Sequence, residues 1–286
     1  MSPKLEDKLA TFLMYMLAVL AVMFLLAITF ILLNAGLRVI NIHFLISSPK
    51  AFQSGGGVGP QIVNSFMILF LTLIFTVPIG IGAGIYLSEF AKKNAITGIL
   101  RLSIETLSSL PSVIIGLFGL LVFVTTFGWG FSMISGAMTL TVLNLPVMTR
   151  ITEEALRDVK RDLREASLAL GATRWQTITR VVMVSAIPRL ITGIILASGR
   201  IFGEAAALIF TAGMTSPKLT PDNFFNIFRP AETLAVHIWK VNAEGLAPDA
   251  RRIADGSSAL LIIIIIAFNF LARALTQKLY KRLTGA

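Results

Sequence analysis

The 286-residue sequence contains no cysteine and two histidines, His43 and His237. The absence of cysteine excludes disulfides, thiolate metal sites and cysteine nucleophiles. Two histidines far apart in sequence argue against a metal site or a histidine-based catalytic centre. Charge is also scarce, because 14% of the residues are charged, against about 25% in soluble domains. With 55% hydrophobic residues and a mean hydropathy of +0.81, the composition indicates a polytopic membrane protein.

Six apolar runs approach or exceed the roughly 20 residues that a membrane-crossing helix needs. The sequence therefore predicts an all-α protein with one transmembrane domain over residues 1–286. Lys4 and Lys8 precede the first run as in a signal peptide, but the run is too long for one and is read as the first span. The predicted helices cover about 10–37, 64–90, 102–127, 132–150, 187–213 and 257–277.

The formal net charge of +10 is explained better by membrane topology than by nucleic acid, because the basic residues lie between the apolar runs. With the N-terminus inside, 17 of the 25 lysines and arginines fall in cytoplasmic segments, seven fall outside and one lies within a span. The positive-inside rule then predicts that both termini are cytoplasmic. It also predicts a cytoplasmic segment at about 151–186 and an extracytoplasmic loop at about 214–256.

Glycine and proline interrupt several of the apolar runs, but they do not form the pattern of a nucleotide-binding loop. The stretch SGGGVGPQI at 54–62 lacks the Lys-Ser/Thr ending of a phosphate-binding P-loop, so we expect no ATP binding through such a loop in this chain. Within the spans, two readings are open: close helix packing with kinks, or broken helices around a transport path. The residues concerned are Pro78, Pro111, Pro146, Gly80, Gly84, Gly199 and Gly203.

The charged stretch between spans four and five carries helical periodicity. One apolar face is predicted from a spacing of three and four residues, at Leu156, Val159, Leu163, Ala166 and Leu170. Gly171 is placed to end that helix, and Thr173 stands three residues before Gln176 in a capping-box pattern that begins the next. Trp175, Ile178 and Val182 are expected on the buried side of this second helix, and Pro188 near the start of span five.

Two roles fit this helix–turn–helix segment. It is either an amphipathic connector at the lipid surface or a surface that docks into a groove of another protein. The residues EASLALGATRWQTI resemble the E-A-A-x-x-x-G loop of ABC importer permeases, with Glu165, Ala166 and Gly171 matching and Ser167 in the second alanine place. The resemblance implies the type I importer permease (MetI-like) fold, with this loop as the coupling helix that contacts an ATPase subunit.

Four further stretches resemble the phosphate permeases of the PstA family: GIGAGIYLSEFA, LSSLPSVIIGLFG, SGRIFGEAAALIFTAG and ADGSSALLIIIIIAFNFLAR. The resemblance implies a phosphate importer subunit in the inner membrane of a prokaryote. It also implies a homologous PstC-like permease, a PstB-like ATPase dimer and an extracytoplasmic PstS-like phosphate-binding protein as partners. No cofactor, metal or nucleic acid is implied, and ATP hydrolysis is expected in a partner chain rather than in this one.

Arg200 and Glu204 stand four residues apart in the fifth apolar run, so a continuous helix would place them on one face. They form either a self-neutralising ion pair that fixes helix packing or a substrate-path element in which Arg200 contacts phosphate. Similar positions in the phosphate permease family are implicated in transport. Asn144 and Glu105 are weaker candidates: Asn144 for a hydrogen bond between helices, and Glu105 for pairing with Arg101. Glu89 is read as an interface anchor beside Lys92 and Lys93.

Two other functions stay open at this point. The same fold could carry another oxyanion or small solute, because an arginine alone does not separate phosphate from sulfate. A secondary transporter driven by an ion gradient needs no ATPase, and the predicted docking loop argues against it. An intramembrane enzyme is disfavoured, because the spans show no clear constellation of carboxylate, histidine or serine residues.

Overall fold

The computed structural model describes residues 3–92 and 94–284, which are helical apart from connecting segments. In chain order the helices are α1 Pro3–Leu37, α2 Ile42–Ile46, α3 Gly59–Ile85, α4 Ala95–Ser109, α5 Ser112–Gly119, α6 Met133–Arg157, α7 Arg161–Ala169, α8 Arg174–Thr177, α9 Met183–Gly203, α10 Ala206–Ile209, α11 Leu234–Glu244 and α12 Ala250–Thr284. Wider π-helical turns extend α3 over Tyr86–Phe90 and α5 over Leu120–Thr126, and join α8 to α9 over Ile178–Val182.

Four helical stretches in the described residues are long and apolar enough to cross a membrane: Asp7–Leu37, Gly59–Phe90, Arg174–Gly203 and Ala250–Thr276. A fifth is formed if α4 and the α5 stretch count as one broken span. The expectation of a continuous helix over 102–127 is wrong, because these two pieces meet at 101°. Pro111 explains the break, since Leu110 before it is held in an extended conformation. α6 is long but too polar for the same class, with buried serine, threonine and asparagine side chains.

The centre of the molecule is the parallel pair α3 and α6. A Cβ atom added at Gly80 would lie 2.7 Å from Met148 Cγ, and one at Gly84 would lie 2.4 Å from Thr152 Cβ. Both contacts step by four residues in the same direction, so the helices run side by side with almost no space between their backbones. Ile68, Leu69 and Leu140 are buried in the surrounding apolar core.

The first helix lies at the edge of this body. α1 packs mainly against α12, and its apolar side chains from Leu9 to Ile31 are largely exposed. The contact is closest at Gly36, where an added Cβ would overlap the Asp255 carbonyl oxygen and the Ala259 Cβ. The exposed apolar surface of α1 is the surface expected of a lipid-facing helix.

The boundaries around the fifth span differ from those predicted. α8, the π turn and α9 form one helical stretch from Arg174 to Gly203, so Pro188 lies inside it rather than near its start. The stretch ends at Gly203 instead of continuing to 213, and the short α10 follows. The chain turns there because α10 packs against α5, where the Ala207 Cα is 2.8 Å from a Cβ built at Gly116.

Candidate functional site

The segment between α6 and α9 has the predicted order of helix, glycine turn and capped restart. Gly171 has φ +84°, a left-handed conformation that favours glycine. The Thr173 hydroxyl accepts a hydrogen bond from the Gln176 amide, and the Gln176 side chain accepts one from the Thr173 amide. This is a complete capping box at the start of α8. The residues 161–177 that contain it are called the coupling segment below.

One part of the sequence prediction for this segment is wrong. A single helix does not run from Leu156 to Leu170, because α6 ends at Arg157 and α7 begins at Arg161. Leu156 is therefore buried in the body of the protein, as part of α6, while Leu163 and Leu170 are exposed. Trp175 was expected to be buried and is 60% exposed, whereas Ile178 and Val182 are buried as predicted.

The side chains of α7 lie on the surface of the protein and do not contribute to its core. None of its residues is buried, Leu168 is half exposed, and Leu170 after it is 90% exposed. Glu165 lies on the outside of α7, where its Oε1 accepts a hydrogen bond of 2.8 Å from Arg161 Nε. Ala166 is exposed on the same helix. An apolar surface with a charged edge at the end of a membrane protein is typical of a docking site for another protein.

The coupling segment is fastened to the end of α3 by an ion pair that the sequence analysis missed. Arg164 Nη1 lies 2.8 and 2.7 Å from the two carboxylate oxygens of Glu89. Arg164 Nη2 donates to the Leu156 carbonyl oxygen at 2.6 Å, and Arg174 donates to the Glu89 carbonyl oxygen. Glu89 was read as an interface anchor beside lysines. The sequence pattern that could have predicted an ion pair is the position of Glu89, a single acidic residue at the end of an apolar run.

Arg200 and Glu204 do not share a helical face. α9 ends at Gly203, and Glu204 has an extended backbone with φ −76° and ψ 122°, so the four-residue spacing no longer brings them together. The Glu204 carboxylate instead accepts a hydrogen bond of 3.2 Å from the Ala207 amide. Within residues 3–92 and 94–284 no ion pair joins Arg200 to Glu204. The reading of a self-neutralising pair is therefore wrong for this structure.

The face of α9 that carries Arg200 is open. Arg200 is exposed, and no described atom comes within 4 Å of a Cβ built at Gly199 or Gly203, apart from their own helix and chain neighbours. This pair of glycines contrasts with Gly80 and Gly84, which are filled by α6. The open face leaves room for another chain or for solvent beside Arg200.

The two lesser candidates have different environments from those predicted. Asn144 is buried in α6, but its amide donates to Leu140 of its own helix at 2.8 Å, and among the described residues it forms no hydrogen bond to another helix. Glu105 is exposed on α4. Arg101 does not pair with it and contacts Glu153 of α6 instead, at 2.8 Å.

A buried polar cluster at the opposite end of α3 was also missed. Glu232 accepts a hydrogen bond of 2.9 Å from Gln61 and lies 3.1 Å from His237 Nδ1 and 3.5 Å from Lys240 Nζ. Burial raises the pKa of Glu232, but the hydrogen bond and charge of His237, the charge of Lys240 and the Gln61 hydrogen bond outweigh burial and hold it below its ordinary value. The sequence pattern that could have predicted this cluster is Glu232 followed, within one or two helical turns, by two side chains that can carry positive charge, His237 and Lys240.

Arg229 ties the same loop to α3. It is almost fully buried, and its Nη2 donates to the Asn64 side chain at 2.8 Å. Asn64 in turn donates to the Glu232 carbonyl oxygen at 3.0 Å. A cavity of about 360 Å³ lies beside this cluster and is lined in part by Glu232, His237, Lys50 and Gly57.

The family described as binding-protein-dependent transport system inner membrane component matches residues 76–285. The chain belongs to this family. The probable ABC transporter permease protein YqgI of Bacillus subtilis is 51% identical, with all of both chains covered. The phosphate transport system permease protein PstA of Haemophilus influenzae is 32% identical over 96% of this chain and 95% of that one. This chain is therefore the permease component of a type I ABC importer, a polytopic membrane protein.

Solved structures of ABC transporters share the permease fold. A bacterial alginate ABC transporter, crystallised with an alginate-bound periplasmic protein, superposes with a TM-score of 0.67 over 96% of this chain and 98% of that one, at 17% identity. The inward-facing MetNI methionine ABC transporter gives a TM-score of 0.57 over 78% and 94%, at 19% identity. At these identities the likeness concerns the fold, which is the all-helical MetI-like permease fold.

Proposed function

We propose that this permease is the PstA-like subunit of an ATP-driven phosphate importer and forms half of its translocation path. The observation that carries the proposal is Arg200, exposed on the open face of α9 in a chain related over nearly its whole length to phosphate permeases. A guanidinium group recognises a phosphate oxyanion through paired hydrogen bonds. Glu204, at the end of the same helix, lowers the positive potential there and keeps binding transient, as a conduit requires.

The open glycine face of α9 belongs, in this proposal, to the boundary with a second, PstC-like permease. The path runs between the two chains, so the partner supplies the remaining contacts. The broken span contributes an irregular segment to this path: Ser109 and Pro111 are exposed at the 101° bend between α4 and α5. Irregular backbone at membrane depth is tolerated where it borders a water-filled cavity or another protein.

The coupling segment is the contact with a PstB-like ATPase dimer. Its exposed Leu163, Leu168, Leu170 and Trp175 provide the apolar surface, and Glu165, Ala166 and Gly171 fix its shape and edge. ATP binding and hydrolysis take place in that partner, so this chain is not itself an enzyme. Both termini are cytoplasmic, and an extracytoplasmic phosphate-binding protein of the PstS type meets the opposite side, as expected in a prokaryotic inner membrane.

The test is purification of the tagged permease from its native membrane, identification of the co-purifying chains, and uptake by the complex in proteoliposomes. Inorganic phosphate is the probe, with sulfate in excess as competitor. Uptake that needs ATP and the binding protein and resists sulfate supports the proposal. Equal competition by sulfate would point to a general oxyanion importer. Uptake by the lone chain on a proton gradient would overturn the proposal in favour of a secondary transporter.

A further inference from the structure

The Glu89–Arg164 ion pair joins three helices at one guanidinium group. Arg164 comes from α7, its carboxylate partner lies in the π-helical turn that ends α3, and its carbonyl partner, Leu156, lies in the last turn of α6. The Glu89 side chain is 7% exposed and that of Arg164 is 23% exposed. A charge pair so shielded from water is held in a fixed geometry, because separating it leaves a buried charge without a partner.

A second arginine reinforces the same point. Arg174, at the start of α8, donates to the Glu89 carbonyl oxygen, and its guanidinium carbon lies 5.3 Å from the centre of the Phe90 ring. Ser88 Oγ donates to Glu89 Oε1 at 3.2 Å. The end of α3 is therefore held by both halves of the coupling segment. Since α7 buries no residue of its own, these polar contacts are a large share of what fastens it to the protein.

Glu89 lies at the end of α3, so the packing of α3 determines how far a movement at Glu89 is carried through the protein. α3 is packed closely on α6, because Gly80 and Gly84 bring the two backbones together and Ile68 and Leu69 share an apolar core with Leu140. At its other end α3 carries Gln61 and Asn64, which hold the loop at Glu232 and Arg229. One closely packed body thus extends from the coupling segment to the opposite end of the molecule.

We infer that Glu89 and Arg164 are positioning residues that transmit movement of the coupling segment to the α3–α6 body. A displacement of the coupling segment by a partner reaches α9 directly, because the second half of the segment continues into α9 as one helical stretch from Arg174 to Gly203. It reaches α6 through the packing of α9, where Gly193 lies against Ile151, and it reaches the end of α3 through Arg164. Without this pair, the coupling segment would no longer move the end of α3 directly, and the two sides of the path would not open together. This inference rests on the proposed function, since it presumes an ATPase at the coupling segment.

The experiment uses the assembled complex in proteoliposomes, with inorganic phosphate as the probe. Glu89→Gln and Arg164→Gln each remove one charge, and Glu89→Asp keeps the charge while shortening its reach. Arg150→Gln is the matched control, because it breaks the exposed Arg150–Glu154 pair at the same end of α6. We measure phosphate transported per ATP hydrolysed, and the stimulation of ATP hydrolysis by the binding protein.

The two neutral variants are expected to hydrolyse ATP with phosphate transport per ATP reduced at least about tenfold and stimulation by the binding protein largely lost. Glu89→Asp should recover part of the coupling, and Arg150→Gln should match the wild type. A neutral variant with wild-type transport per ATP would overturn the inference.

If the neutral variants do not assemble, Glu89→Asp carries the test: transport per ATP below that of the wild type is expected, and an unchanged ratio would contradict the inference. If the double cysteine variant assembles, the absence of other cysteines allows a further test. Glu89→Cys with Arg164→Cys, joined by a short bismaleimide, should regain the coupling lost before cross-linking, and a cross-link without effect would contradict the inference. A wild-type chain that binds no ATPase would instead remove the proposed function itself.

Discussion

The tight contact of α3 with α6 can be tested by replacing Gly84 with alanine. The added Cβ would lie 2.4 Å from Thr152 Cβ, 2.6 Å from its Cγ2 and 2.9 Å from the Thr149 carbonyl oxygen. Carbon atoms in contact are ordinarily about 3.5–4.0 Å apart, so the shortfall is about 1 Å or more. A threonine in a helix has few rotamers and a backbone carbonyl cannot turn away, so the helices must separate.

Overpacking of this kind costs about 1–3 kcal/mol of stability. The matched control is Gly82→Ala, two residues away on the open side of α3, where no described atom beyond its own helix and chain neighbours lies within 4 Å of the new Cβ. There alanine should stabilise by about 0.5–1 kcal/mol, because glycine is unfavourable within a helix. The two variants should therefore differ by roughly 1.5–4 kcal/mol in free energy of unfolding.

The assay is the apparent unfolding midpoint of the purified permease in detergent, followed by fluorescence-detected gel filtration after heating. With about 2–4 °C per kcal/mol for a chain near this size, Gly84→Ala should unfold roughly 3–16 °C below Gly82→Ala. An equal or higher midpoint for Gly84→Ala would show that α3 and α6 are not in contact at this position.

Four further outcomes follow from single side chains. Leu170→Glu should leave the unfolding midpoint nearly unchanged, because the side chain is 90% exposed, yet reduce the recovery of the ATPase on co-purification; full recovery would contradict docking there. Gly171→Ala should destabilise by about 1–2 kcal/mol in thermal unfolding, because φ is +84°, whereas Gly98→Ala in open space on α4 should not. Arg200→Ala and Glu204→Ala should each lower phosphate uptake while the complex still assembles, and normal uptake at normal membrane levels would remove them from the path. Glu232 has a folded-state pKa below its ordinary value, so its ionisation stabilises the fold above the pKa of an unfolded glutamate, and this contribution is lost as the pH falls through the lower, folded-state pKa. Melting curves of Glu232→Gln should therefore depend less on pH in that acidic range than those of the wild type, and parallel curves would refute the assignment.

Local signals predicted the coupling segment well. A glycine at positive φ and a Thr173–Gln176 capping box are decided by residues within one or two turns, so their pattern is readable in the sequence. The apolar runs that became α3 and α12 are equally local, because hydropathy over about 20 residues defines them.

Features that depend on distant residues were not predictable in this way. Glu89 and Arg164 are 75 residues apart, and their pairing exists because α7 folds back under the end of α3. Arg200 and Glu204 were wrongly predicted to share a helical face. The end of α9 is determined by the packing of α10 on α5, and no residue near Gly203 in the sequence indicates that packing. Trp175 was assigned to the wrong side because an exposed apolar residue gives the same sequence signal as a buried one.

The position of α1 has a consequence for synthesis of the protein. α1 is made long before α12, the helix against which it mainly packs, with Gly36 set against Asp255 and Ala259. A ribosome adds about 5–20 residues per second, so α1 waits on the order of 10–50 s in the membrane before its partner exists. During that interval α1 contacts lipid or the insertion machinery instead of α12. The almost wholly apolar surface of α1 is compatible with lipid during this interval, and α1 gains its main packing contact only once α12 has been inserted.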